Sequence, residues 1–322
     1  MIIKTADTLM VIIMMLSVSN DIDKMEIYAN GIELATIMGR NRKDGKRYID
    51  YNLDDKVLVA TIKNPVLMLD DAFIGRSDPI LRSTLTALYG RPRTTVYDSV
   101  SNYWDNHKYA SVWCPSIDTI LYAKALRKFF EKEKPDIKNV VEIGCGAGLL
   151  GKYALMKSKH IEELMFIDLN PDAIECIKEN TNDARVKFII GDGLKTIQGK
   201  KYDLIICNPP YIPRPGSIDD NPYEGIYLLY HLVHYGQDYL TDNGILMINT
   251  SSLSHARVFK KIPEMDASLI ETMDVPLKVN NIMNDKEWLS YLIKESGLEE
   301  RKESPYPYWH TIRIFNFEKV KE

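Results

Sequence analysis

Residues 140–151 read VVEIGCGAGLLG, and this stretch decides the fold class. An apolar run ends in three alternating glycines, Gly144, Gly146 and Gly148, and a helical pattern follows at once over residues 148–158. Glycines let the backbone turn tightly and bring its amide groups close to a ligand. The stretch therefore predicts a strand, a ligand-binding loop and the start of a helix.

The alternation of strands and helices continues on both sides of this loop. Short apolar runs predict strands, and segments with helical apolar spacing predict helices between them. Such near-continuous apolar strands indicate a parallel sheet covered on both faces. We therefore predict a doubly wound, Rossmann-like α/β domain over residues 110–322. Its predicted strands are 139–144, 162–169, 186–192, 202–208 and 244–251, and its predicted helices are 116–134, 148–158, 171–181 and 223–240.

Residues 1–109 have a different pattern, which predicts a smaller mixed α+β N-terminal domain. The predicted helices cover residues 9–16, about 24–38 and 78–90, and two short strands lie around 46–52 and 56–62. The region contains no motif with recognisable chemistry. We interpret it as a substrate-recognition or oligomerisation domain, and the sequence leaves the oligomeric state open.

Composition excludes several classes of protein. Charged residues make up 27% of the 322 residues and the net charge is −4, so the surface as a whole is not built to bind nucleic acid. The apolar run at 9–16 is shorter than the roughly 20 residues that span a bilayer. The four cysteines form no CxxC pair, so we expect free thiols in a cytoplasmic protein and no metal site: Cys114, Cys145, Cys176 and Cys207.

The glycine loop is compatible with two cofactors. Gly146, Gly148 and Gly151 fit the GxGxxG spacing of dinucleotide-binding proteins, and Asp168 follows at about the distance of the ribose-binding acid. Glu142 favours a different ligand, because a carboxylate in an apolar strand is costly without a partner. A cation can be that partner, whereas pyrophosphate adds negative charge. S-adenosylmethionine carries a sulfonium and an ammonium group, so it fits this position better than NAD.

Three further residues follow strands at the same predicted edge of the sheet, where open α/β sheets bind ligands. Asp168 can accept hydrogen bonds from both ribose hydroxyls, and Leu169 can pack on adenine. Asp192 can accept a hydrogen bond from the adenine amino group. Each acid alone is more typical of a turn or a helix cap, but together they predict a cofactor site.

The next strand ends in Asn208-Pro209-Pro210-Tyr211 on that edge. Prolines remove backbone donors and fix φ, so the loop presents stiffly held carbonyl acceptors. The Asn208 side-chain oxygen and the Pro209 carbonyl suit the two N–H groups of a planar NH2, and Tyr211 can stack on its plane. Accepting both N–H bonds favours attack by the nitrogen lone pair on an electrophilic methyl group.

Taken together, these motifs resemble the class I S-adenosylmethionine-dependent methyltransferases. NPPY followed by IP resembles the amino-methyltransferases of glutamine side chains and of the exocyclic amines of bases. VWCPSIDTILYAKAL (112–126) and NPYEGIYLLYHLV (221–233) resemble the release-factor glutamine methyltransferases more loosely. The resemblance implies a mostly parallel seven-stranded sheet whose last strand inserts antiparallel. It implies cofactor contacts by Glu142, Gly144, Gly146, Gly148, Asp168 and Asp192, and acceptor contacts by Asn208, Pro209 and Tyr211.

The expected activity is methyl transfer from S-adenosylmethionine to a planar nitrogen of protein glutamine or of adenine in RNA or DNA. The chain departs from the release-factor group in its N-terminal region and in the segment at Pro115, which lacks an arginine. The acceptor therefore stays open, and a small molecule is the nearest alternative. An NAD-dependent oxidoreductase is a second alternative, although it leaves Glu142 and NPPY without a role. A non-catalytic binding module is a third.

Overall fold

The computed structural model divides the chain into two compact units, Met1–Ala110 and Ser111–Glu322. The role predicted for residues 1–109 stays a prediction. The structure describes residues 2–3, 14–18, 24–29, 32–38, 48–50, 93–105, 108–133, 136–216, 224–259, 265–277, 279–301 and 307–320.

The described part of the first unit is a seven-stranded sheet. Neighbouring strands are antiparallel except for the parallel β5–β6 pair. In sheet order, which is also chain order, the strands are β1 (Ile2–Ile3), β2 (Met14–Val18), β3 (Lys24–Ala29), β4 (Ile32–Met38), β5 (Tyr48–Asp50), β6 (Arg93–Tyr97) and β7 (Val100–Trp104).

Two helix predictions in this unit are wrong. The stretch 24–38 forms the hairpin β3–β4, and the end of the apolar run at 9–16 belongs to β2. Polar and apolar residues alternate in KMEI, and Asn30-Gly31 is a strong signal for a tight turn between strands. The strand predicted around Tyr48–Asp50 is confirmed. The predictions at 9–13, 56–62 and 78–90 fall outside the described residues.

The second unit contains an eight-stranded sheet in the order β10-β9-β8-β11-β12-β15-β13, with the short β14 paired to β15. The first five strands of this order are mutually parallel, and β15 lies antiparallel between β12 and β13. The predicted Rossmann-like fold and its antiparallel insertion are confirmed. The strands are β8 (Asn139–Ile143), β9 (Glu163–Asp168), β10 (Val186–Ile190), β11 (Tyr202–Cys207), β12 (Leu240–Ser251), β13 (Met265–Pro276), β14 (Glu299–Glu300) and β15 (Tyr308–Lys319).

Helices cover both faces of this sheet. Successive side chains of a strand point to opposite faces of the sheet. Because the neighbours Val140 and Val141 of β8 are both buried, both faces are covered at this strand. Val141 packs in one cluster with Leu229 and Val233. The helices are α1 (Ile117–Glu133), α2 (Leu149–Lys157), α3 (Pro171–Asn180), α4 (Gly193–Thr196), α5 (Tyr227–Tyr235), α6 (Ser252–Val258), α7 (Asn280–Asn284) and α8 (Lys286–Glu295), with a 3-10 turn at Gly236–Tyr239.

The state of the cysteines and the length of the helices are two further features of the chain. All four cysteines are free; three are buried, and Cys114 is half-buried. Across the described ranges, every helix is too short or too polar to cross a bilayer.

Candidate active site

Strand register brings the predicted site residues to one edge of the sheet. Ile143 at the end of β8 is paired with Ile167 of β9 and with Cys207 of β11. The residues that follow these positions, Gly144, Asp168 and Asn208, therefore emerge side by side. On the other side of β9, the Gly191 N–H donates to the Asp168 carbonyl at 2.9 Å, which places Asp192 at the same edge.

The glycine loop bends over the end of β9 in a conformation that favours glycine. Gly144, Gly146 and Gly148 have φ angles of 65°, 51° and 78°. The Gly144 N–H donates to the Ile167 carbonyl at 2.9 Å. A Cβ at Gly144 would meet no atom within 4 Å, so the left-handed backbone, rather than crowding, explains this glycine.

Glu142 has a partner within the protein, which corrects one step of the sequence argument. Its Oε2 accepts a hydrogen bond from the Gly151 N–H at 2.7 Å. That donor lies in the first turn of α2, where backbone N–H groups lack helical partners. A Cβ at Gly151 would lie 2.6 Å from the same oxygen, so packing of the helix on Glu142 explains the third glycine of the GxGxxG spacing.

Burial makes the negative charge of this region costly. Glu142 is 3% exposed, and burial raises the pKa of its carboxyl from 4.5 to about 8. Burial also raises the pKa of the neighbouring Asp168. A buried acid and a half-buried acid that interact unfavourably are stabilised in their charged forms by a nearby cation. The site therefore fits a cationic ligand such as S-adenosylmethionine, independently of the glycine pattern.

Asp168 is held by the two loops that flank it. Its Oδ2 accepts from the Gly146 N–H at 2.9 Å, and its Oδ1 accepts from the Asn170 N–H at 2.9 Å. Each carboxylate oxygen can accept a further bond, so these contacts fix the group without exhausting it. Leu169 beside it is 38% exposed, which leaves apolar surface available to a ligand.

Asp192 is the N-cap of the short helix α4. Its Oδ1 accepts from the Leu194 N–H at 3.0 Å, which is the capping role that the sequence analysis weighed as the alternative. The Asp192 Oδ2 lies 3.8 Å from the Lys195 Nζ. The contact to adenine predicted for Asp192 stays a prediction.

Asn208 and Tyr211 meet a carboxylate that the sequence analysis did not assign to the site. The Asn208 Nδ2 donates to Asp118 Oδ2 at 3.2 Å, and the Tyr211 hydroxyl donates to the same oxygen at 3.4 Å. Asp118 lies in the first turn of α1. Ser116 and Asp118 stand at the start of the predicted helix 116–134, where such residues usually serve as caps, so the sequence contained no separate signal for this contact.

The other end of the Asn208 amide contacts β12. Asn249 is fully buried, and its Nδ2 donates to Asn208 Oδ1 at 2.6 Å. The Asn208 oxygen retains a second lone pair for an acceptor nitrogen. Asn249 was also missed, because it stands within an apolar strand and has no motif around it.

Tyr211 lies between the Asp118 carboxylate, which accepts its hydroxyl hydrogen bond, and the imidazole of His310. Burial raises the pKa of its phenol well above the usual value. The ring centre of His310 lies 6.2 Å from that of Tyr211, and burial lowers the pKa of His310 to about 4. His310 Nδ1 is 2.9 Å from Ser251 Oγ. His310 is therefore neutral near pH 7, so the imidazole next to Tyr211 carries no charge.

The loop after Tyr211 is held by the C-terminal helices. The Trp288 indole N–H donates to the Pro213 carbonyl at 2.8 Å, and Arg257 donates to the Arg214 carbonyl at 3.0 Å. Ile212 forms an isolated antiparallel bridge with Gly225. These contacts fix the exit of the loop, while the prolines stiffen its start. Pro209 is buried and Pro210 is half-buried.

Comparison with known proteins gives a family match within this unit and several similar relatives. The family profile described as methyltransferase small domain matches residues 121–266. A putative protein N5-glutamine methyltransferase of Methanocaldococcus jannaschii is 31% identical over 44% of this chain and 74% of its own length.

Other relatives are matched over smaller parts of their length. The release factor glutamine methyltransferase of Haemophilus influenzae is 29% identical over 49% of this chain and 63% of its own. The ribosomal RNA small subunit methyltransferase C of Photobacterium profundum is 31% identical over 44% of this chain and 38% of its own. The chain thus spans less than two thirds of these two relatives.

Proposed function

Since this chain belongs to the class I S-adenosylmethionine-dependent methyltransferases, we propose that it methylates the side-chain amide nitrogen of a protein glutamine. The observation that carries the proposal is the Asn208 amide, fixed between Asp118 and Asn249 beside the glycine loop. The relatives named for glutamine methylation support the same acceptor class.

The cofactor site is the edge formed by the glycine loop, Asp168, Leu169 and Asp192, with Glu142 beneath it. When bound, S-adenosylmethionine supplies an electrophilic methyl group. Asp168 is positioned to accept from the ribose hydroxyls, and a bound cation would stabilise the charged forms of Glu142 and Asp168, whose pKa values burial raises.

The acceptor site is the NPPY loop. In the proposal, Asn208 Oδ1 and the Pro209 carbonyl accept the two N–H bonds of the carboxamide, and Tyr211 stacks on its plane. An amide nitrogen is a poor nucleophile because its lone pair is delocalised into the carbonyl. Holding both N–H groups orients the lone pair towards the methyl donor, so catalysis rests on positioning and electrostatics.

The N–C bond would form as the S–C bond of the donor breaks, and the nitrogen would then release its proton to solvent water, so the site needs no strong base before attack. His310 near Tyr211 is a weak base, since burial keeps the pKa of its imidazole at about 4, and this agrees with a mechanism without a strong base.

A second acceptor class is an amino group of a nucleic-acid base. Its planar NH2 offers the same two donors to Asn208 and Pro209, and the ribosomal RNA methyltransferase among the relatives favours it. The proposed location in the cytoplasm is compatible with either acceptor and rests on the four free thiols.

The first test is ligand binding by thermal shift. We expect stabilisation by S-adenosylmethionine and S-adenosylhomocysteine and none by NAD. Stabilisation by NAD alone would contradict the cofactor assignment and favour an oxidoreductase.

The second test is methyl transfer from labelled S-adenosylmethionine to glutamine peptides, RNA and DNA. We expect Asn208→Ala to lose activity by about 100-fold or more, as when one preorganised polar group is removed from an active site. Asn180→Ala is the matched control, because Asn180 bonds the Cys176 carbonyl at the far end of α3. Equal loss in both variants would contradict the role of Asn208, and transfer only to nucleic acid would favour the second class.

A further inference from the structure

Asp118 accepts five hydrogen bonds: two come from the NPPY loop, and three, including one from the Thr119 hydroxyl at 3.4 Å, come from residues at the start of α1. Its Oδ2 accepts from Asn208 and Tyr211, as described above. Its Oδ1 accepts from the Thr119 N–H at 2.8 Å and from the Ser116 hydroxyl. The Oδ1 bonds anchor the carboxylate to the start of α1, and the Oδ2 bonds connect it to the loop. Asp118 thus joins the first helix of the unit to the proposed acceptor site.

The chemical character of this contact decides which way the Asn208 amide faces. An amide presents NH2 on one side and an oxygen on the other, and the two groups have nearly the same shape. A carboxylate accepts hydrogen bonds and donates none, so only the NH2 side can face Asp118. The Asn208 oxygen must then face the opposite side, where acceptor N–H bonds are needed.

Asn249 by itself does not fix the orientation of the Asn208 amide. Its own amide can turn to offer either NH2 or oxygen to Asn208. Its Oδ1 is buried and has no hydrogen-bond partner in the described part of the chain, so no further group fixes that amide from its other end. Asn249 follows the orientation of Asn208, whereas Asp118 imposes it.

We propose that Asp118 is a positioning residue that locks the Asn208 oxygen towards the acceptor nitrogen and so selects acceptors that donate N–H bonds. The proposal rests on the proposed function of the site. A carboxamide or an amino group satisfies the locked amide, whereas a carboxylate of the same shape places oxygen against oxygen. Asp118 thus distinguishes glutamine from glutamate. It also strengthens the Asn208 oxygen as an acceptor, because linked hydrogen bonds polarise one another.

Asp118→Asn tests this reasoning with almost no change in shape. The new amide can donate as well as accept, so Asn208 is free to turn and present its NH2. We expect kcat on a glutamine peptide to fall by about 10- to 100-fold, near the lower range for loss of an active-site hydrogen bond. The dissociation constant of S-adenosylhomocysteine should change less than about threefold, which separates the effect from unfolding.

Selectivity gives a readout that a purely structural role would leave unchanged. The probe is the matching peptide with glutamate in place of glutamine, measured as a competitive inhibitor. We expect its inhibition constant to improve by about tenfold in Asp118→Asn relative to the wild-type protein, because a turned Asn208 donates to a carboxylate. Unchanged selectivity together with unchanged kcat would refute the lock.

Asp203→Asn is the matched control. Asp203 also accepts several bonds, from the Lys138 and Asn139 N–H groups and from Thr241, but it lies at the opposite end of β11. We expect this variant to lose stability and to keep the selectivity between the two peptides. If Asp203→Asn shifted the selectivity equally, the effect of Asp118→Asn would come from a general loss of rigidity and not from the lost carboxylate.

A measurement without any acceptor separates this proposal from the proposed function. The side-chain NH2 resonance of Asn208, identified by its loss in Asn208→Asp, reports the bond to Asp118 directly. We expect a downfield, slowly exchanging proton in the wild-type protein that moves upfield in Asp118→Asn and stays in Asp203→Asn. An unchanged resonance in Asp118→Asn would refute the lock. Absence of methyl transfer to any glutamine peptide, with the expected resonance shift, would refute only the proposed acceptor.

Discussion

Replacing Glu142 by glutamine should make the stability of the second unit less dependent on pH. The folded state holds the Glu142 proton up to about pH 8, whereas the pKa is 4.5 without burial. Between these values the folded state binds more protons than the unfolded state, so wild-type stability falls as pH rises and levels off above pH 8. The substituted amide keeps an oxygen for the Gly151 N–H and has no proton to lose.

The expected size follows from the pKa difference. At about 1.4 kcal/mol per pH unit, the span from 4.5 to about 8 corresponds to roughly 5 kcal/mol in total. Between pH 5 and pH 9, the wild-type protein should lose about 4 kcal/mol relative to Glu142→Gln. For a domain of this size, 1 kcal/mol shifts Tm by roughly 2 to 4 °C, so the variant should gain roughly 8 to 16 °C on the wild type across that range.

Thermal unfolding of both proteins in a series of buffers from pH 5 to pH 9 measures this difference. Glu175→Gln is a suitable control, because Glu175 is exposed on α3 and contacts Lys178 at 2.7 Å. Its pH dependence should match that of the wild type. Parallel curves for the wild type and Glu142→Gln would show that folding does not raise the pKa of Glu142, which would contradict the argument from burial.

Two other substitutions test the glycine loop and the environment of His310 beside Tyr211. Gly148→Ala should cost roughly 2 to 5 kcal/mol, because φ is 78° and the new Cβ would lie 2.5 Å from Ile177 Cγ1. Gly199→Ala is the control, because Gly199 has φ 71° and a Cβ there would meet no atom within 4 Å. It should lose only the backbone contribution of about 1 to 2 kcal/mol. Denaturant unfolding measures both variants, and equal losses would contradict the packing argument. On acidification from pH 6.5 to 4, the free energy of unfolding of the wild type should fall by up to roughly 3 kcal/mol, because the unfolded state binds the His310 proton first. His310→Gln should not show this decrease. Thermal unfolding across that range measures it, and an unchanged slope would mean that His310 is charged when folded.

The sheet of the second unit could be predicted because its signals are local. Each parallel strand is a short apolar run bounded by glycine, proline or an acid, and the helices between them carry their own caps, such as Asn170 before Pro171. The carboxyl ends of parallel strands share one edge, so the grouping of the predicted site residues at that edge followed from chain order alone. β13 was missed because charged residues such as Asp266 and Asp274 interrupt its apolar pattern.

The first unit shows where periodicity failed. In residues 24–38, apolar residues recur at spacings that fit both a helix and a pair of strands. Asn30-Gly31 was the deciding signal, because a turn with positive φ at both positions joins antiparallel strands and interrupts a helix. Giving the turn more weight than the apolar spacing would have predicted β3 and β4.

The predicted site residues lie together at one edge of the sheet, but their partners within the protein were not predicted. Sequence reasoning assigned a ligand to each polar group, whereas the structure gives each one a first partner within the protein: the Gly151 N–H for Glu142, the Gly146 N–H for Asp168, and Asp118 for Asn208. Asp118 is 90 positions before Asn208, and Asn249 is 41 positions after it. Only the packing of α1 and β12 against the end of β11 reveals these pairs. Because Asn208 keeps a lone pair for a ligand after it bonds to Asp118 and Asn249, its geometry is set before binding, and Asp118 variants should affect turnover more than cofactor affinity.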